Sequence, residues 1–486
     1  MPDLQACGGT PPAPGTVGRM LDLTTARRVH VVGVGGSGMG PIATILAAMG
    51  HTVSGSDLAA SPRLDRLRSL GVTVHVGHAA EHVAGVDVVV VSTAVASDNA
   101  EVVAARAAGI PVARRAEALA ALCANRRALA VSGTHGKTTT TAMLAVVLRE
   151  AGLRPSFLVG GEVSGLGESA TWDEGEWFVV EADESDGTFL ELGADAVIVT
   201  SVEPDHLEHY GSFDALRDAF ARFVVSAPGP KVVCIDDPVA AELPELPELV
   251  GAGDCLTYGT AATARYRIVD AELGGGRSAF TLEGDGERLG RVELGVPGLH
   301  NVSDAAAAAV AAMAIGVPFD VVVRGLGRFS GVARRFEWRG EAGGVTFVDS
   351  YDHLPTEVRA ALAAARAGGW RRVVCVFQPH RYTRTAALAG EFASAFDEAD
   401  VLAVTDVYAA GQQPLPGVTG KLIVDAVLDA RPHRRVAWLP GRPELLAWLR
   451  SELRPGDLCL TLGAGDLTTV PDQVLAMLGG GSAPGT

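Results

Sequence analysis

Residues 128–141, ALAVSGTHGKTTTT, constrain the fold more than any other stretch of the chain. The apolar run 128–131 reads as a buried strand. It breaks at Ser132-Gly133-Thr134-His135-Gly136 and passes through Lys137-Thr138-Thr139 into a helical pattern ending near Gly152. Strand, glycine loop and helix in that order make a phosphate-binding loop. Backbone N–H groups and the positive helix end face a polyphosphate, Lys137 adds a point charge, and the Thr138 hydroxyl is placed to reach Mg2+. The strict pattern G-x-x-x-x-G-K-[ST] puts glycine at 131, whereas this chain has Val131 and its glycine at 133. The rival reading is a tight strand–helix turn with a chance lysine. It leaves unexplained why Gly-Lys-Thr lies where the helix dipole is aimed.

The remaining chain must build layers around such a loop. Its 486 residues leave room for about two to four domains. With 48% apolar and 20% charged residues, a large core is expected and global disorder is not. Abundant alanine and glycine suit α/β layers packed through small side chains. A net charge of −17 argues against nucleic acid or an anionic membrane as partner. It leaves phosphate ligands open, because local loops hold those. The cysteines at 7, 123, 234, 255, 375 and 459 are scattered, with no C-x-x-C, so reduced thiols in a cytoplasmic protein are expected. No basic region followed by an apolar stretch opens the sequence, so no signal peptide is expected. The longest near-continuous apolar run, 305–319, is short for a membrane span and is broken by Gly316 and Pro318, so it reads as a packed helix.

In chain order, residues 1–26 are rich in Pro, Gly and Thr and read as a flexible tail. Strand 28–32 runs into Gly33-Val34-Gly35-Gly36-Ser37-Gly38, a G-x-G-x-x-G pattern, then a helix to about Met49 and a strand ending in Gly55-Ser56-Asp57. Asp57 lies near the spacing at which a carboxylate grips a ribose hydroxyl. The motif by itself leans to NAD(P), and a different nucleotide diphosphate held by the same physics is the alternative. A helix (61–70), strands 72–76 and 86–91, and helices 99–109 and 117–124 complete this first α/β unit.

The second unit starts near Asn125. Strand 176–181 leads into Ala182-Asp183-Glu184-Ser185-Asp186, and four acids within 181–186 beside bound ATP would hold Mg2+ through hard oxygen ligands. Strand 194–200 leads to Glu203-Pro204-Asp205-His206 at the same sheet edge, where open α/β sheets bind ligands. His206 taken alone reads equally as a satisfied loop histidine. Helix 213–225, strand 231–235 and antiparallel hairpins over 265–296 follow. Gly298-Leu299-His300-Asn301 opens an alanine-rich helix, near a nucleotide base or simply capped by Asn301. A linker near Gly331 begins a third unit with strands 345–348, 372–377, 401–404, 435–438 and 457–460 alternating with helices. Its strand ends carry polar clusters at 349–353, 378–384 and 463–466. Arg381 and Arg384 suit a carboxylate or phosphate, and equally a solvated basic turn.

The segments VGVGGSGM, SGTHGKTTTT, EADESDGTFL, EPDHLEHYGSF, GLHN, GVARRFE, DSYDHLPTE, VFQPHRYTRT, TDVYAAG and GAGD, in this order between residues 28 and 467, together resemble the Mur ligases. The resemblance implies an α/β protein of three domains: a Rossmann-like UDP-sugar domain (27–124), a central phosphate-loop ATPase domain with a small antiparallel sheet (125–331), and a Rossmann-like C-terminal amino-acid domain (332–486). More narrowly it implies the branch that joins L-alanine to UDP-N-acetylmuramate with ATP and Mg2+, in cytoplasmic peptidoglycan precursor synthesis, as a monomer or weak homodimer. Gly35, Gly36, Ser37, Gly38, Met39 and Asp57 would then serve the sugar nucleotide and not NAD. Gly133, Thr134, His135, Gly136, Lys137, Thr138 and Thr139 would hold the ATP phosphates, with Asn301 and Arg335 also at the nucleotide. Thr138, Glu181 and His206 would ligate Mg2+. Lys137, Glu181, His206, Arg335 and Asp349 would be catalytic, and His353, Arg381 and Arg384 would orient substrate carboxylates.

The chain departs from the family pattern at several points. DDYGHHPTE is here Asp349-Ser350-Tyr351-Asp352-His353-Leu354-Pro355-Thr356-Glu357, Asp304 replaces an asparagine, Ser201 replaces another, and Gln412 stands for a glutamate. Three further readings stay open at this level: a recycling ligase that attaches a tripeptide to the same sugar nucleotide, an NAD(P)-dependent oxidoreductase, and a ligase-derived regulator that binds nucleotide without catalysis.

Overall fold

The computed structural model describes residues 21–92, 94–251 and 254–479. The tail expected over 1–26 lies for the most part outside them. The chain divides into two compact units, 1–125 and 126–486.

The first unit holds five parallel strands: β1 (Arg28–Val32), β2 (Thr52–Asp57), β3 (Thr73–Val76), β4 (Val88–Val91) and β5 (Val112–Arg114), in the order β3-β2-β1-β4-β5. The apolar runs of β1 and β4 are buried, as strands covered on both faces require. β5 has three residues and no apolar run, and the sequence reading left it out. The order reverses beside β1, and the glycine loop follows β1 at that crevice.

The second unit carries two sheets. One has ten strands: β6 (Arg127–Ser132), β7 (Ser156–Val163), β8 (Glu168–Thr171), β9 (Trp177–Glu181), β10 (Ala196–Val199), β11 (Lys231–Cys234), β12 (Cys255–Gly259), β13 (Tyr266–Gly274), β14 (Arg277–Gly284) and β15 (Glu287–Leu294). Strands β10, β6 and β9 lie side by side and parallel at its centre, and β13 to β15 form the expected antiparallel meander. The other sheet contains β16 (Glu337–Ala342), β17 (Val345–Ser350), β18 (Arg372–Phe377), β19 (Val401–Val404), β20 (Val436–Trp438) and β21 (Asp457–Leu462), in the order β16-β17-β21-β18-β19-β20. β16 is an antiparallel edge with polar residues, so it too escaped the sequence reading.

Two features position the site. Helix Leu299–Ala314 takes up residues 305–314 of the apolar run that was too short for a membrane, and its residues 305–312, seven alanines and Val310, are all buried. Small side chains let it lie close to helix Lys137–Glu150, which is buried from Thr138 to Leu148. An extra methylene group there would be felt, because such a contact has no room to yield. Second, the crossing near Gly331 is pinned to the ten-stranded sheet. Val163 and Val332 form an antiparallel bridge, the Ser164 N–H donates to the Gly331 carbonyl (3.0 Å), and the Ala333 N–H donates to the Glu162 carbonyl (2.9 Å). Beyond the pin, Arg334 and Phe336 take left-handed backbone conformations.

Candidate active site

In the second unit, the loop between β6 and helix Lys137–Glu150 is held by the segment after β10. The Thr134 N–H donates to the Ser201 carbonyl (2.9 Å), the His135 N–H to Ser201 Oγ (3.0 Å), and the Glu203 N–H to Thr134 Oγ1 (2.8 Å). Ser201, one of the departures, thus makes two of the contacts that shape the loop. Gly133 (φ +132°) and Gly136 (φ +78°) sit where a side chain has no room: a Cβ would lie 2.1 Å from Thr200 Oγ1 and 2.3 Å from Asp304 Oδ1 respectively. Both glycines are therefore packed tightly against what lies behind the loop, the close backbone that a polyphosphate cradle uses.

Lys137 Nζ donates to the Gly133 carbonyl (2.5 Å), the Thr134 carbonyl (3.2 Å) and Glu184 Oε1 (2.9 Å). Burial opposes its charge, yet the carboxylates of Glu184, Asp183 and Glu181 hold the ammonium above its ordinary range. Burial pushes Glu184 up to about 7. The acid cluster and the lysine therefore share one edge. His206, with a left-handed backbone (φ 54°), lies 3.3 Å from Asp205 and faces Asp183 and Lys137. Burial lowers its pKa, so the imidazole is neutral and keeps a lone pair. Glu181 Oε2 accepts from the Gly160 N–H (2.8 Å).

Among the described residues no group of three or more His, Cys, Asp or Glu side chains is arranged to hold a metal ion alone. A Mg2+ ion bound with a nucleotide is held by one or two carboxylates, with phosphate and water completing most of its shell. The hydroxyl, carboxylate and neutral imidazole of Thr138, Glu181 and His206 supply a donor set of that kind.

His135 bridges two elements distant in sequence. Its Nε2 lies 3.2 Å from Glu203 Oε2 and its Nδ1 is hydrogen-bonded to Glu357 Oε1 (3.2 Å). Burial works against charge, but the two carboxylates hold the imidazolium up to about 10. Glu357 also accepts from the His353 and Leu354 N–H groups, and the Thr356 hydroxyl donates to Glu203 (3.0 Å). Neither Glu203 nor Glu357 figured among the expected site residues, although both stand inside the quoted motifs.

Beside the loop opens a cavity of about 370 Å3, walled in part by Gly136, Asp237, Asn301, Asp304, Arg335 and Asp352. Asn301 lies in the first turn of its helix and is not the cap. Its amide donates to the Pro297 carbonyl (2.6 Å). The Arg335 guanidinium stacks over Tyr351 (5.3 Å to the ring centre) and lies 4.0 Å from Asp352. Asp349, expected to be catalytic, is 1% exposed and away from this cavity. Its oxygens accept from Thr461 Oγ1 and Thr468 Oγ1 (both 2.6 Å). Alternation along β17 sends Ser350 to the cavity instead, and Asp352 follows it there.

Arg384 holds both oxygens of Asp205 (3.0 Å each) and touches His380 Nδ1 (3.0 Å). Arg381 reaches Glu208 (3.4 Å). His353 packs edge-to-face on His380, and burial lowers them to about 4 and about 3, so both are neutral. The two arginines are thus partnered within the protein and are not a solvated turn.

In the first unit, taken separately, Asp57 Oδ2 accepts from the Gly35 N–H (2.8 Å) and Oδ1 from the Leu58 N–H (2.8 Å). Gly36 and Ser37 are exposed, Gly38 is half-buried and Met39 is buried. Behind this edge Glu101 is fully buried, accepting from Ser56 Oγ (2.6 Å) and contacting His78 (2.9 Å) and His82 (2.6 Å). No spacing rule announced that network.

Three family models match the chain: Mur ligase family, catalytic domain over 28–127, Mur ligase middle domain over 131–312, and Mur ligase, glutamate ligase domain over 334–465. A UDP-N-acetylmuramate--L-alanine ligase of Anaeromyxobacter sp. is 48% identical over 453 residues, covering 93% of this chain and 98% of the relative. One from Kineococcus radiotolerans is 48% identical over 472 residues, covering 96% and 99%. The crystal structure of UDP-N-acetylmuramate-alanine ligase from Thermotoga maritima superposes with a TM-score of 0.79 at 29% identity, covering 93% of this chain and 99% of that one. With the models spread along most of the sequence and near-complete relatives at almost half identity, the chain belongs to the Mur ligase family.

Proposed function

We propose that this chain is an ATP-dependent ligase that joins L-alanine to the lactyl carboxylate of UDP-N-acetylmuramate for peptidoglycan synthesis. The observation that carries this reading is the meeting, at one sheet edge, of the phosphate loop, Lys137 and the acids around Glu184 with neutral His206. The relatives' names supply the substrates.

A carboxylate cannot be attacked directly, because oxide is an impossible leaving group. Its oxygen attacks the γ-phosphorus of ATP, the bond to the β-phosphate oxygen breaks, and ADP leaves. The amine of L-alanine then adds to the acyl carbon, loses a proton, and phosphate departs. Loop N–H groups from Gly133 to Thr139 and the Lys137 ammonium hold the phosphates and neutralise the charge that moves between them. Thr138, Glu181 and His206 would hold Mg2+, whose chemistry is charge neutralisation at phosphoryl oxygens. Asn301 and Arg335 border the cavity that takes adenosine. His353, Arg381 and Arg384 orient substrate carboxylates, with Asp205 holding Arg384 in position. Asp349 has a supporting part, fixing the end of β17 through its threonines. The glycine loop of 33–38 with Met39 and Asp57 binds the sugar nucleotide. In this reading the domains run 27–124, 125–331 and 332–486, and the enzyme works in the cytoplasm as a monomer or weak homodimer without nucleic acid or membrane. Among the described residues the thiols at 123, 234, 255, 375 and 459 form no disulfide.

Phosphate release with UDP-N-acetylmuramate and ATP, scanned over amino acids and a tripeptide, tests the proposal. L-Alanine should give the highest kcat/KM. Release that needs the tripeptide would move the chain to the recycling branch, and no release with any acceptor would overturn the reading.

A further inference from the structure

Behind the glycine loop of the first unit lies a buried cluster that the reaction does not use. Glu101, in the first turn of helix Ala100–Ala107, is 0% exposed. Four of the chain's 12 histidines gather around this one carboxylate. His78 Nδ1 lies 2.9 Å from Oε2, while His82 Nδ1 and the fully buried His30 Nε2 lie 2.6 and 3.5 Å from Oε1. His75 completes the group, stacked on His82 with ring centres 3.9 Å apart. One residue joins the cluster to the loop. Ser56 Oγ donates to Glu101 Oε2 (2.6 Å), and the Ser56 carbonyl accepts from the Gly33 and Val34 N–H groups (2.8 and 3.0 Å). The next residue, Asp57, accepts from the Gly35 N–H (2.8 Å).

We propose that Glu101 and its histidines are a proton-linked device that sets the affinity of the glycine loop for its sugar nucleotide, binding tightening as the cluster gains a proton and weakening as it loses one. The inference rests on the reading that residues 35–39 and Asp57 take that ligand. A buried negative charge behind a loop that must hold a diphosphate repels it, because the protein interior screens charge poorly. A helix N-terminus would steady the carboxylate without any histidine. Histidine adds a counter-charge that comes and goes between about pH 5 and 8. Burial opposes the charge on Glu101, yet His30, Ser56 and His82 hold its carboxyl well below the usual carboxylate range, so the negative charge is present throughout that window. The counter-charge is not doubled. Burial and the neighbouring His82 and His30 lower His75, against the pull of Glu101 and Glu81, so His75 is neutral. Two imidazolium rings stacked face to face would also repel. With one histidine protonated the cluster is neutral overall, and with none it turns one negative charge towards the loop. Among the described residues these side chains are not arranged to hold a metal ion, which leaves the proton as their ligand. By linkage, binding of the anionic sugar nucleotide draws a proton into the cluster.

The test measures KM for UDP-N-acetylmuramate from pH 6 to 8.5 in the intact enzyme and in Glu101→Gln, each at saturating ATP, L-alanine and Mg2+. The amide keeps an acceptor for Ser56 and removes the charge, and the ratio of wild-type to variant KM cancels the other titrations. That ratio should climb by ~5-fold or more with pH, with little change in the kcat ratio. A residue that only supports the fold gives a constant ratio, and a constant ratio overturns the inference. Calorimetric titration of the wild type with UDP-N-acetylmuramate at pH 7 keeps the inference falsifiable where Glu101→Gln does not fold. It is run with Mg2+ and a non-hydrolysable ATP analogue, in buffers of different ionisation enthalpy. Net proton uptake is expected, and zero uptake or release overturns the inference. Ser37→Trp, at an exposed position on the loop, separates the two levels. If it raises the sugar-nucleotide KM while the Glu101 ratio is constant, only the role of the cluster is refuted. If it leaves that KM unmoved, the loop does not hold the sugar nucleotide and both readings fall.

Discussion

The glycine loops after β1 and after β6 share one backbone plan and place their charges differently. Both leave a buried parallel strand, turn through a left-handed glycine (Gly33 at φ 77°, Gly136 at φ 78°) and enter a helix. In the first, a carboxylate sits on the loop, Asp57 taking the Gly35 N–H, and two cations flank it: Arg63 donates to the Gly35 carbonyl (2.7 Å) and the Arg115 side chain lies against Gly38. In the second, cations are part of the loop itself, Lys137 and the His135 imidazolium, with acids arrayed opposite. A helix N-terminus is enough to hold a diphosphate. Moving a phosphoryl group also requires charge that is already in place. Backbone shape alone therefore suits each loop to a phosphate, and the side chains set the two apart.

The sharpest break in this comparison is Lys137→Ala. It should lower kcat by ~100-fold to 1,000-fold or more in a phosphate-release assay while sugar-nucleotide binding survives. Arg63→Ala should instead act on the sugar-nucleotide KM. Near-normal turnover in Lys137→Ala would remove the distinction. His206→Asn comes next, and should raise the Mg2+ concentration for half-maximal rate by roughly 10-fold to 100-fold. An unchanged Mg2+ curve would count against ligation. Gly136→Ala should cost ~1–3 kcal/mol by denaturant unfolding, because a Cβ there lies 2.3 Å from Asp304 in a left-handed backbone. Gly36→Ala should cost less, its Cβ meeting the Gly33 carbonyl at 3.2 Å without that strain. Equal losses would show that the loops are packed alike. The smallest effect concerns pH. The folded pKa of His135, about 10, exceeds its ordinary value of 6.5, so its stabilisation is complete below 6.5 and is lost as pH rises through 10. Urea unfolding should show the wild type converging on His135→Asn by about 1–2 kcal/mol over that window, and parallel curves would argue against an imidazolium clamp.

Apart from β7 and β12, whose apolar runs are interrupted by glycines or a threonine, the buried parallel strands were legible because their apolar runs leave no alternative, and so were the two loops, whose glycines mark the turns. β5 and β16 were not, since edge strands need neither length nor an apolar face. Within the site, a motif names residues but not the partners they meet. The sequence offers no rule pairing His135 with Glu357, 222 positions away, or Arg384 with Asp205. The exchange of Asp349 for Ser350 and Asp352 on the cavity wall has a simpler origin. One step along a strand reverses the face, and a motif read as a block does not record which member points inward. The default of NAD(P) for the first glycine motif shows the same limit, for that backbone plan is common to many nucleotides.

The stitched crossing at Val163 and Val332 fixes where the second unit can bend. Residues up to Ala333 are laced to the ten-stranded sheet, and the left-handed pair Arg334 and Phe336, with Arg335 between them, is tied instead to the end of β17, where the Tyr351 N–H donates to the Arg334 carbonyl (2.8 Å) and the Phe336 N–H to Ser350 Oγ (3.0 Å). The axle of any swing by the six-stranded sheet is thus also a wall of the cavity beside the phosphate loop, which Arg335 lines.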